Sequence, residues 1–134
     1  MPRIAALRDD LQRRLLEAIP FLEVNGGRSP RTPNTLHVGC HYIEGESILY
    51  GLDAEKICVS TGSACSSGSL EPSHVLRAMG VPGTALQGSV RISFSAYSTQ
   101  ADADRIADAL PAVVANLRRL SPYWDQAKNA PRTL

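Results

Sequence analysis

Aromatic residues make up only 5% of this 134-residue chain, so its core must be aliphatic. Lysine is scarce too: Lys56 and Lys128 are the only two. Neither sign of charge is in excess; acids and bases are interleaved and the formal net charge is +1. That removes the electrostatic case for nucleic acid or an anionic membrane as a partner. No apolar run approaches the roughly 18 residues of a membrane span. The N-terminus, MPRIAALRDDLQ, is amphipathic and carries acids, unlike a signal peptide. Three cysteines, Cys40, Cys58 and Cys65, include no C-x-x-C pair, which argues against a zinc knuckle or a thioredoxin-like pair. An odd count, with one cysteine in a polar loop, fits a reducing compartment, so the expected location is cytoplasmic.

Hydrophobic content of 43% is enough for one core, and the length suits one domain, 1–134. Ile4, Leu7, Leu11 and Leu15 step by three and four, which predicts an amphipathic helix over residues 3–18, stopped by Pro20. Phe21–Val24 is a short apolar run before the turn signal Asn25-Gly26-Gly27. Thr35–Tyr42 alternates, with Leu36, Val38 and Cys40 on one face and His37, Gly39 and His41 on the other. That predicts a half-buried strand on which Cys40 is a small core residue. His37 and His41 lie about 13 Å apart along such a strand, too far to share a metal. Glu44–Leu52 reads as a helix, Lys56–Ser60 as a strand, Pro72–Met79 as a helix and Ser89–Tyr97 as a strand. Thr99 with Asp102 forms a near capping box. Behind it Ile106, Leu110, Val113, Leu117 and Leu120 predict a long helix, kinked at Pro111. The tail from Lys128 is expected to fray. The economical assembly is α+β: a small sheet with helices packed on one face, the first and last helices side by side.

Between Ser60 and Ser69 every residue is small, and Cys65 sits mid-span. Thiol chemistry needs access and thiolate character; the small neighbours supply access, and an inert exposed cysteine is the alternative. Arg91 points out of a strand face whose other members, Ser93 and Ser95, are short. It is suited to hold a carboxylate bidentately or, more plainly, to make a surface ion pair. The serines of the loop lack either phosphate-binding glycine pattern, and no metal-ligating set stands out.

These residues resemble a known family. Thr61–Gly80, TGSACSSGSLEPSHVLRAMG, is similar to the active-cysteine segment of NifS/IscS-type cysteine desulfurases, pyridoxal-phosphate enzymes of the class V aminotransferase group. The similarity continues through TPNTLHVGCHYIEGE (Thr32–Glu46), GSVRISFSAYST (Gly88–Thr99) and LRRLSPYW (Leu117–Trp124), leaning toward the nitrogen-fixation branch. The resemblance implies the mostly antiparallel C-terminal small domain of a fold-type I pyridoxal-phosphate enzyme. It implies that Cys65 is the nucleophile that takes sulfur from L-cysteine as a persulfide, leaving L-alanine, for iron–sulfur cluster assembly. It implies that Arg91 holds the substrate carboxylate. The family's arginine after the SVRISFS strand is replaced here by Ala96. Neither lysine sits in the family's cofactor-lysine motif, so the large cofactor domain lies outside this chain. Pyridoxal phosphate is expected on the complete enzyme and not on this chain alone, which is expected to be inactive by itself. The partners implied are that large domain, in the same or a separate chain, L-cysteine, an iron–sulfur scaffold or other sulfur acceptor and, more weakly, a second copy in a homodimer. The alternative is a non-catalytic sulfur carrier or interaction module, or an inactive remnant.

Overall fold

The computed structural model describes residues 2–27, 31–61, 78–80 and 88–131. In chain order they form α1 (Pro2–Ala18), β1 (Leu22–Val24), β2 (Thr35–Cys40), α2 (Gly45–Ala54), β3 (Ser89–Ser93), α3 (Gln100–Leu120), β4 (Trp124–Asp125) and β5 (Ala130–Pro131). Strands β1, β2 and β3 make an antiparallel sheet in that spatial order. The architecture is the expected α+β layer.

Register follows from the period of two. Leu36 pairs with Ile92 and Val38 with Val90, which puts these four and Cys40 on the face that three helices cover. Onto it α1 lowers Ile4, Leu7, Leu11 and Leu15, and α2 lowers Ile48 and Leu52. All belong to one aliphatic core. Two glycines permit close approaches. A Cβ on Gly51 would sit 2.7 Å from Val113, where α2 meets α3, and one on Gly88 would sit 2.0 Å from the Cys40 carbonyl oxygen.

Helix α3 starts at a full capping box: Thr99 Oγ1 accepts from Asp102 N–H at 3.3 Å, and Asp102 Oδ2 accepts from Thr99 N–H at 2.9 Å. It is continuous through Pro111. Its inward stripe differs from the expected one. Ala103, Ile106, Leu110, Val114 and Arg118 are buried, whereas Val113 and Leu117 are only partly covered and Leu120 is 71% exposed. A 4-3-4-3 repeat has a period of 3.5, and a straight helix drifts away from it. By the last turn the core-facing position has moved to residue 118.

That position holds an arginine because three carbonyls converge there. Arg118 donates to the oxygens of Pro20, Phe21 (3.0 Å) and His41 (3.3 Å), and stacks on the Trp124 ring at 4.3 Å. Phe21 and Tyr42 adopt φ of 55° and 71°, costly conformations for bulky side chains. Ser121 Oγ donates to the Tyr42 carbonyl at 3.0 Å, and Phe21 packs edge-on to Trp124. The C-terminal segment thus clamps the ends of β1 and β2.

Three other expectations change. Residues from Lys128 do not fray at once: β4 pairs with β5, with Lys128 in the turn between them. Lys56–Ser60 is not a strand; Lys56 turns at φ 61° and only Ser60 makes a β-bridge. Strand β3 ends at Ser93, and 96–97 form a turn. The Pro72–Met79 helix falls, but for Ala78 and Met79, outside the described residues.

Candidate functional site

The sheet face away from the helices is polar. His37 of β2 pairs across the ladder with Arg91 of β3, Thr35 with Ser93, and Gly39 with Ser89. The backbone bonds of His37 and Arg91 show which kind of pair they make. Arg91 exchanges both its bonds with Ser60, on the side away from β2: Ser60 N–H to Arg91 O at 3.1 Å, and Arg91 N–H to Ser60 O at 2.6 Å. The His37 carbonyl accepts from Asn25 N–H at 2.9 Å, on the side of β1. His37 and Arg91 are therefore a non-hydrogen-bonded antiparallel pair, the kind whose side chains approach most closely, about 4.5–5.5 Å between Cβ atoms.

Arg91 is exposed, and its guanidinium meets no acceptor among the described residues. His37 is half-buried, and its Nδ1 lies 2.8 Å from Asn25 Nδ2. Burial, then the Arg91 charge, hold the His37 pKa below the ordinary imidazole value. Asn25 Nδ2 also reaches Ser89 Oγ at 3.5 Å. Farther along, His41 Nε2 lies 3.2 Å from Glu23 Oε1. Among the described residues the face thus carries one cation, Arg91, with a donor-rich border.

The expected cysteine, Cys65, lies outside the described residues. The structure does place the root of its segment: Ser60 is bridged to Arg91, on the edge of the sheet beyond β3. Cys40 is fully buried, as expected of a core residue, and burial pushes its thiol up to about 12. Cys58 is exposed. Ala96 is exposed, and its carbonyl accepts from Arg3 at 2.6 Å, as does that of Ser98. An arginine from α1 thereby braces the turn. Lys56 and Lys128 both stand exposed on turns, without the enclosure that a Schiff-base lysine needs. No group of three metal-ligating side chains occurs among the described residues, and no described helix is long and apolar enough to cross a membrane. A cavity of about 140 Å³ lies beside Arg118, Trp124 and Pro111 and shares no residue with the polar face.

This arrangement has close relatives. The Aminotransferase class-V family profile matches residues 2–106. The chain belongs to the class-V aminotransferase family. Within that family it is 56% identical over 128 residues to a cysteine desulfurase of a Nostoc species, covering 91% of this chain and 32% of that protein. It is 50% identical over 121 residues to the cysteine desulfurase NifS of Azotobacter vinelandii, covering 90% and 30%. The X-ray structure of a NifS-like protein from Rickettsia africae superposes with a TM-score of 0.70 at 29% identity, over 82% of this chain and 28% of that one. The chain thus spans about a third of the length of the curated relatives it matches.

The sequence placed His37 and Arg91 on outward faces but did not join them. The signal was partial: two alternating strands, one with His37 and His41 outward and the other with Arg91. The register that sets them opposite each other is a tertiary fact.

Proposed function

We propose that this chain is the small domain of a cysteine desulfurase, in which Arg91 receives the α-carboxylate of L-cysteine and Cys65 receives its sulfur. The observation that carries this reading is the Ser60–Arg91 bridge. It roots the Cys65 segment five residues away, beside a cation with no other acceptor among the described residues. A fixed root and a run of small residues give the thiol access, while Arg91 keeps the substrate in one place.

In the proposed reaction the Cys65 thiolate attacks the substrate sulfur. The Cβ–S bond breaks, Cβ keeps the electron pair and takes a proton, and L-alanine leaves. Cys65 holds the sulfur as a persulfide, later passed to an iron–sulfur scaffold or other acceptor. The family's cofactor, pyridoxal phosphate, is what makes the Cβ–S bond breakable. Both lysines of this chain are exposed on turns and do not fit that group, so the cofactor belongs to the two thirds of the family's length not spanned here. Alone, the chain is a sulfur acceptor without turnover, acting beside its large domain in the cytoplasm.

The test is reconstitution. The chain is mixed with a separately produced cofactor domain, L-cysteine and a dithiol that reduces the persulfide to sulfide, and alanine and sulfide are measured. The expected result is equal amounts of both, abolished by Cys65→Ala. A mixture without turnover, but with about one added sulfur at Cys65 after incubation with another desulfurase, would instead support the carrier reading.

A further inference from the structure

The polar face holds a second donor that the proposed chemistry has not used. His37 stands directly across from Arg91 in a close, non-hydrogen-bonded pair. Asn25 Nδ2 carries only donor hydrogens, so at 2.8 Å it makes Nδ1 of His37 an acceptor. A neutral ring must then carry its proton on Nε2. No described residue takes up that N–H. Asn25 is itself fixed by its backbone bond to His37 and its reach to Ser89 Oγ. The result is an imidazole held at one nitrogen, with a donor left over at the other, beside an arginine that also lacks an acceptor.

We infer that His37 is the second arm of the carboxylate site: its Nε2–H donates to the same carboxylate that Arg91 grips, with Asn25 setting the tautomer. This rests on the Arg91 reading above and adds a positioning residue to it. Burial and the neighbouring guanidinium both disfavour a second positive charge on the ring. It therefore adds direction rather than charge. A bidentate guanidinium fixes a carboxylate within its own plane but lets it hinge out of that plane, and a third donor from the opposite strand limits that hinge.

The experiment uses the chain itself, labelled with nitrogen-15, and L-alanine as the carboxylate probe, against sodium chloride at equal ionic strength. Long-range proton–nitrogen correlations follow the histidine ring nitrogens, and Arg91 is read at its Nε–H. In the free chain His37 should show an unprotonated Nδ1 and a protonated Nε2. With alanine, Nε2 of His37 and Nε of Arg91 should shift together with one dissociation constant, while His41, paired with Glu23, serves as reference. His37→Ala should weaken binding about tenfold. Asn25→Asp, whose carboxylate accepts from Nδ1–H, should move the proton to Nδ1 and weaken binding similarly. Arg91→Gln should remove the His37 shift as well. If Arg91 responds alone, with its dissociation constant unchanged in His37→Ala, the role of His37 is overturned and that of Arg91 stands. A free-chain ring protonated on Nδ1, or a His37 shift that persists in Arg91→Gln, also overturns it. If neither residue responds, the Arg91 reading falls and takes this one with it.

Discussion

Arg118 and Arg91 are the same residue type used in opposite ways. Arg118 is 2% exposed at the end of α3; its donors go to the carbonyls of Pro20, Phe21 and His41, and its face lies on Trp124. Burial lowers its pKa, so the carbonyls it satisfies are what keep a charge tolerable there. Arg91 stands exposed on the polar face of the sheet, with no acceptor among the described residues. An arginine surrounded by backbone acceptors is a structural pin. One whose backbone is held by Ser60 and whose guanidinium meets no acceptor among the described residues is left open to solvent. Partners, not exposure alone, distinguish the two, since Arg13 is also exposed yet engaged with Asp10 and Glu17.

That contrast can be broken by mutation. Arg118→Met should destabilise the chain by about 3 kcal/mol, because converging carbonyls lose their donors at two strained turns. Urea unfolding measures this, and a change under about 1 kcal/mol would show the clamp to be dispensable. Arg91→Gln should leave the urea midpoint unmoved but lower kcat/KM in the reconstituted mixture by about a hundredfold, the loss of a bidentate charge-assisted contact. A large fall in midpoint would make Arg91 structural and remove the contrast. Thr99→Ala should cost about 1 kcal/mol, the ordinary value of an N-cap, with chemistry per folded molecule unchanged.

The smallest effect concerns the cysteines. At pH 8 iodoacetamide should label Cys58 in the native chain and spare Cys40, as peptide mass spectrometry would show; labelling of both would mean that the core opens. The buried Cys40 thiol is raised from 9.0 to about 12. Its neutral form thus contributes stability that is complete below pH 9 and lost as pH rises toward 12. Unfolding midpoints between pH 8 and 11 should fall, and Cys40→Ala should flatten that slope.

Much of the framework was legible in the residues. The Ile4–Leu15 stripe, the Leu36/Val38/Cys40 alternation and the Thr99–Asp102 cap are local patterns whose physics acts within a few residues, and each formed as read. The last turns of α3 were misread because a hydrophobic repeat of 3.5 looks inward everywhere until a neighbour selects the face. Arg118 was passed over because burying an arginine makes sense only once Pro20, Phe21 and His41 present their carbonyls together, and they come from distant parts of the chain. The expected strand at Lys56–Ser60 shrank to one bridge because Lys56 turns in the left-handed region, which alternation does not encode.

What the sequence determined by itself is the inventory: an aliphatic core, a family membership carried by motifs in order, an outward Arg91 and an outward His37. Local periodicity suffices for these because side-chain direction in a strand repeats every two residues. What only the tertiary structure decided is adjacency. The antiparallel register set His37 against Arg91, the Ser60 bridge fixed the root of the Cys65 segment beside them, and Asn25 came to lie against the His37 ring. Pairings over 54 residues, from position 37 to 91, depend on how whole strands align, and a slip of one residue would turn every one of those side chains to the other face.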